Sequence, residues 1–346
     1  MRGFLLKCAI LLGETGLYRF LKPGRLPIFL LHRIDESETH FSGKISVGTL
    51  RKYLDYLSAN NFRVLGMEEF CSILERGSAF PSKSLVFTID DGFYDHHDLA
   101  ARVFEEYGFP LNFFVITGLL DQKLWPWDDQ VSYAFNHSEV SKVRITLPSG
   151  SGYFADLESN DLKATIRQIR NSLKLEKQQA IYAWITSELY PKLEVPFPEQ
   201  IPAAYRPMSW QDARSLRARG HGVYPHTYSH RILSALPRDE KRFEINESRK
   251  RIQQELGFDP KVFAYPTGRQ SDYDSTDIEE LKSAGFELAF NTIQEYAKHG
   301  NCPFEMPRFS LPQKYSEFLQ IVNGLEELKK DWRVSGSFTP SLFSSR

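Results

Sequence analysis

Cysteine is scarce: Cys8, Cys71 and Cys302 are the only three in 346 residues, odd in number and far apart. That excludes a disulfide framework and a CxxC-type metal site, and it fits a reducing compartment. An excess of charge of either sign is also missing. The chain has 43 Lys and Arg against 44 Asp and Glu, a formal net charge of -1. No broad basic field is available, so no nucleic-acid partner is expected. Internal repeats are absent, as is an apolar run long enough to cross a bilayer. The nearest approach is residues 1–25, MRGFLLKCAILLGETGLYRFLKPGR, where Lys7 breaks the apolar stretch and no A-x-A-like cleavage site follows. Phe4, Cys8, Leu11 and Leu12, set among Arg2, Lys7, Arg19, Lys22 and Arg25, leave three readings open. The segment is an amphipathic helix in peripheral contact with an anionic membrane, a helix docked on the domain, or a poor signal peptide. The expected location is cytoplasmic or membrane-associated, with export left open.

What is present is ordinary globular material, 41% hydrophobic and 25% charged, which is enough for one large domain or two of common size. Apolar runs alternate with helical patterns. Pro27–Leu31, Leu85–Ile89, Leu111–Ile116, Gly222–Tyr224, Val262–Tyr265 and Phe286–Phe290 read as strands. Between them lie helical faces, such as Val47, Leu50, Leu54 and Leu57, and helix ends at Gly108, Gly220, Gly257 and Gly285. Ser209 with Asp212 is a capping-box start. Strands alternating with helices imply a parallel sheet, doubly wound or closed as a barrel. Residues 121–205 break this rhythm with two long helical patterns and a run of prolines, and read as a mostly helical insertion, a lid or cap. The catalytic domain is expected over 26–334, followed by a flexible tail at 335–346.

Two stretches carry candidate chemistry. SLVFTIDDGFYDHH (84–97) ends a buried strand in two adjacent carboxylates, Asp90 and Asp91. HTYSH (226–230) follows the short strand GVYP and spaces His226 and His230 as on one side of a helical turn. Parallel α/β folds place their chemistry at such strand ends. Asp91 with the two imidazoles makes a three-ligand site with open positions, suited to Zn²⁺ and also to Fe²⁺. Asp90 is then free as a general base beside a metal-bound water, and the cation offsets the repulsion between the acids. His96 and His97 read as loop or helix-start residues, and His221 as part of the turn after Gly220.

TIDDG (88–92), HTYSH (226–230) and FAYPTG (263–268), in that order, resemble the motifs of the polysaccharide deacetylase family, carbohydrate esterase family four with its NodB-homology domain. The resemblance covers roughly 27–312 apart from the insertion. It implies a distorted (β/α)7-type barrel and metal-dependent removal of N- or O-acetyl groups from an acetylated glycan, a polysaccharide or a lipid-linked sugar. It implies Asp90 as base, Asp91, His226 and His230 as ligands of a divalent metal, Zn²⁺ first, and a groove wall at Tyr265 and Pro266, with the backbone N–H around Tyr265 helping to hold the oxyanion. The late Leu-x-His motif that supplies a general acid in many members has no counterpart here. His299 lies in a polar loop. His32, in PIFLLHRID, resembles the Tyr-His-x-Val element of a subgroup with permuted motifs and is the expected acid, unless it is only structural. Arg308, in MPRFSL, resembles a late Pro-Arg element and is expected either to hold Asp90 or to lie on the surface. Trp125 and Trp127, with Asp128 and Asp129, offer a sugar-stacking wall or a pin for the insertion. Competing readings are a hydrolase of non-sugar amides on the same scaffold, a non-catalytic glycan binder and, remotely, an iron oxygenase.

Overall fold

The structure, a computed structural model, describes residues 24–36, 44–158 and 161–326. Nearly all of the basic N-terminal segment and the whole of the 335–346 tail lie outside the described residues, so the expectations for them are not addressed.

Seven parallel strands form the centre. They are β1 (Ile28–Leu31), β2 (Ser84–Asp91), β3 (Asn112–Val115), β4 (Gly222–Pro225), β5 (Val262–Ala264), β6 (Leu288–Phe290) and β7 (Phe309–Ser310). One continuous ladder runs β7-β1-β2-β3-β4, and a second joins β5 to β6. A parallel bridge from Phe290 to Met306 ties β6 to the segment leading into β7. No ladder joins β4 to β5 among the described residues, although the two lie side by side. The arrangement is therefore a (β/α)7-type barrel distorted by incomplete closure.

The strands read as continuous apolar runs because helices or barrel interior cover both faces. In β2 every residue from Ser84 to Asp90 is buried. Phe87 stacks on Phe29 at 5.5 Å and meets Phe104 edge-on at 4.9 Å. Each such ring removed from water is worth about 1.5–3 kcal/mol. Helices α1 (Val47–Ala59), α2 (Met67–Glu75), α6 (Trp210–Ala218), α7 (Arg238–Leu256), α8 (Ser275–Ser283) and α9 (Tyr315–Val322) cover the strands; α3 to α5 belong to the insertion. Helix α6 starts with the Ser209–Asp212 capping box, and α7 stops at Gly257 with φ of 71°.

The ladder register levels the strand ends. Leu31 pairs with Ile89, Asp91 with Val115, Pro225 with Val115 and Ser310 with Leu30. His32, Asp90, Asp91 and His226 thus arrive at one rim.

The insertion has its own core, built from Trp127, Val131, Ile169, Ile185 and their neighbours. It contains α3 (Trp127–His137), α4 (Leu162–Leu173) and α5 (Gln178–Trp184), the last extended by a π-helical turn at Ile185–Leu189. An antiparallel hairpin, Lys142–Thr146 with Gly152–Asp156, stands between α3 and α4. The sequence reading passed over this hairpin. Its signal was the alternation of KVRIT, whose residues are exposed and buried in turn, with the turn closing at Gly150, φ 89°.

Candidate active site

Asp90 is 2% exposed and Arg308 0%. Arg308 Nη1 and Nη2 each donate to one Asp90 oxygen at 2.8 Å. Nη1 also donates to Thr88 Oγ1 at 3.1 Å and Nε to the Asn291 carbonyl at 3.0 Å. Four of the five guanidinium N–H groups are therefore used, and the side chain comes from the turn into β7 rather than from the surface. Burial alone would raise the Asp90 carboxyl; Arg308 and His226 outweigh it and hold the group below its ordinary value.

Adjacent strand residues normally face opposite sides of a sheet. At Asp91 the backbone turns left-handed, φ 89°, and Gly92 follows at 92°. A Cβ on Gly92 would lie 2.8 Å from Leu120 Cδ1, so the turn needs glycine on both counts. The result is that both acids reach one place. Asp90 Oδ2 lies 3.9 Å and Asp91 Oδ1 3.8 Å from His226 Nε2, and Asp91 Oδ1 lies 3.6 Å from His230 Nε2.

The two imidazoles converge through a bent loop, not through the helical turn expected from their spacing. Thr227 and His230 have φ of 63° and 59°, and the ring centroids are 5.1 Å apart. Thr227 Oγ1 accepts from His230 N at 3.0 Å. On the far side Glu244 of α7, fully buried, accepts from the N–H groups of Tyr228 at 3.0 Å and Ser229 at 2.8 Å. His226 Nδ1 donates to the Ala264 carbonyl at 2.8 Å, which leaves Nε2 as a lone-pair donor facing the acids. Burial drives His226 down to about 4, so it is neutral at physiological pH. Burial would lower His230 as well, but Asp128 raises it to about 9 in the metal-free chain.

Asp91, His226 and His230 each offer one ligand atom within 4.8 Å of the others, and Asp91 Oδ1 is buried with no hydrogen-bond donor of its own. One carboxylate and two imidazoles around an orphaned oxygen fit a divalent cation.

His32 stands exposed just past β1 and is close enough to Asp90 to act on its charge. Its carbonyl is held by buried His96 Nε2 at 2.5 Å. His97 faces Asp212 at 3.8 Å, His221 contacts Glu105 at 2.9 Å, and His299 stacks on Phe80 at 4.5 Å away from the rim. The groove wall expected at Tyr265 and Pro266 needs correction. Both are buried, and the Tyr265 ring stacks on Tyr273 at 4.2 Å while its hydroxyl donates to the Phe304 carbonyl. The Tyr265 N–H donates to the Phe290 carbonyl at 3.0 Å, so no donor for an oxyanion remains there. Pro266 has no N–H. The next is on Thr267, φ 54°, and no acceptor among the described residues takes it. The stacking wall is corrected too: Trp127 is 1% exposed in the insertion core, and Trp125 packs against Tyr133 and Tyr205 at 5.4 and 5.2 Å. Both pin the insertion.

Sequence reasoning placed Asp128 only beside the tryptophans of the wall or pin, and it missed Arg170. Asp128 Oδ1 lies 3.4 Å from His230 Nδ1, and Arg170 Nη2 donates to Asp128 Oδ2 at 2.5 Å. Nothing in the spacing of α3 and α4 reveals that their acid and base meet behind His230.

The sequence profile of the family described as polysaccharide deacetylase matches residues 77–289. The YxkH protein of Bacillus subtilis strain 168 is 24% identical over 116 residues, 34% of this chain. That match spans only 40% of the Bacillus protein. Among solved structures, the deacetylase PplD of Streptococcus pyogenes, in complex with acetate, superposes with a TM-score of 0.59 at 15% identity, covering 87% of this chain and 99% of PplD. IcaB from Ammonifex degensii gives 0.56 at 18% identity, covering 86% and 96%. A de-N-acetylase from Aggregatibacter actinomycetemcomitans gives 0.54 at 15%, covering 84% and 96%. These structures share the fold.

Proposed function

The chain belongs to the polysaccharide deacetylase family, and from that premise we propose that it hydrolyses N-acetyl groups on a sugar polymer or lipid-linked glycan, using a divalent cation. The observation that carries the reading is the meeting of Asp90 and Asp91 at one histidine nitrogen, His226 Nε2, at 3.9 and 3.8 Å. Two acids at one point, only one of them neutralised by an arginine, suit a division into base and ligand.

Asp91, His226 and His230 would hold the cation, zinc in our reading. Bound there, it would supply Lewis acidity to the acetyl carbonyl and to the attacking water. Asp90 takes the proton of that water. Arg308 keeps it ionised for this purpose, and each carboxylate oxygen still has a lone pair beyond the one facing the guanidinium. The Thr267 N–H, near the strand end that His226 touches at Ala264, is the backbone donor for the developing oxyanion. His32 gives a proton to the sugar nitrogen as the C–N bond breaks and takes one back from solvent. The products are acetate and a free amine, and the Asp90 proton returns to solvent.

The test is acetate release from acetylated chito-oligosaccharides. Activity that a chelator abolishes and zinc restores supports the reading; hydrolysis of small cyclic amides with none of chito-oligosaccharides would overturn the glycan assignment. We place the enzyme in the cytoplasm or at the membrane surface, on the basic and apolar character of residues 1–25. Cell fractionation tests that, and recovery from the periplasm would contradict it.

A further inference from the structure

The insertion, together with the turn that leads into it, grips the loop that carries both histidines. Four consecutive carbonyls of that loop accept from the chain between β3 and the end of α5. Thr117 N donates to Thr227 O at 3.2 Å and Gly118 N to Tyr228 O at 2.9 Å. The Tyr182 hydroxyl donates to Ser229 O at 3.2 Å, and Trp127 Nε1 to His230 O at 3.3 Å. A Cβ on Gly118 would lie 2.6 Å from Tyr228 O, so the approach is possible only because that residue is glycine. The loop needs outside support, since Thr227 and His230 hold left-handed backbone that non-glycine residues seldom adopt.

One contact reaches past the backbone to the imidazole. Asp128 Oδ1 and His230 Nδ1 are both buried and face each other at 3.4 Å, and neither has a hydrogen-bond partner among the described residues. The other Asp128 oxygen is tied to Arg170 of α4, so the carboxylate is fixed from behind. His230 Nε2 is thereby left facing Asp91 Oδ1 at 3.6 Å.

We propose that the insertion completes the metal centre: Asp128, anchored by Arg170, is a positioning residue that sets the ring orientation and the donor nitrogen of His230. This rests on the metal reading above. The insertion's contribution is then to ligand geometry, not to a stacking surface for sugar. Carboxylate partners behind a ligating histidine fix its tautomer and raise its basicity, and their loss typically costs roughly 10–100-fold in metal affinity.

The experiment uses the full chain, stripped of metal, with cobalt(II) and zinc as probes. Zinc affinity is read by competition with a chelator, and ligand geometry by the cobalt d–d absorption bands. Asp128→Asn is expected to weaken zinc binding roughly 10–100-fold and to shift the cobalt bands, with the metal-free thermal transition retained. Because D128N leaves Arg170 without its carboxylate, the double variant D128N/R170M is measured beside it, and the same affinity loss and band shift are expected. Wild-type zinc affinity and an unchanged cobalt spectrum in either folded variant would overturn the inference. A wild-type chain that binds neither metal would overturn the metal reading and the inference with it. A wild type that binds, beside variants that bind equally well, sinks the inference alone.

Discussion

Asp90 and Asp91 are chemically identical neighbours, and what separates them is their surroundings. Arg308 covers Asp90, while the left-handed turn at Asp91 delivers an oxygen with no donor to the histidines. The sequence showed both acids and both imidazoles, because one residue type at a strand end already limits the chemistry. It left Arg308 between surface and site, since its partner lies in a strand far away in the chain. Asp90 must be ionised to act as base, and Arg308 keeps it so against the effect of burial. Arg308→Lys keeps the charge but loses the paired contact, so the Asp90 carboxyl rises. The acid limb of the kcat/KM profile should then move to higher pH. An unmoved limb would remove Asp90 from the base role. The histidines give a second test. In the metal-free chain His226, at about 4, is already neutral at pH 7, whereas His230, at about 9, carries a proton. Zinc binding at pH 7 should therefore release about one proton per site. Calorimetry in buffers of different ionisation enthalpy measures it, and buffer-independent heats would contradict the assignment.

At the level of elements, the parallel strands and their helices were legible because apolar runs and capping signals agree locally. The hairpin at 142–156 was hidden in a polar stretch, and the grip of α3 and α5 on the loop at 226–230 depends on contacts that no periodicity encodes. Tyr265 was misread for a similar reason: its N–H continues the β5–β6 ladder, and register across strands is invisible in one sequence. Gly118, in the turn ahead of the insertion, lies against the loop. Gly118→Val places a side chain against the Tyr228 carbonyl, so it should lower thermal stability and weaken zinc binding together. Unchanged values in both would show that the turn at Gly118 does not press on the loop.

For the whole molecule, ladder register sets His32, the acid pair and His226 at one rim while the insertion closes in from the side. A cation that binds only the folded chain stabilises it by mass action; zinc at 100 times its Kd adds about 2.7 kcal/mol. The melting temperature should therefore rise with zinc and fall on chelation, and differential scanning calorimetry of the two forms checks it. The central claim, that the two acids divide into ligand and base, is tested most directly by zinc content and acetate release measured on the same preparations of Asp91→Ala and Asp90→Asn. The account predicts that D91A loses both zinc and turnover, while D90N keeps its zinc and loses turnover. Equal loss of zinc in the two variants would contradict it.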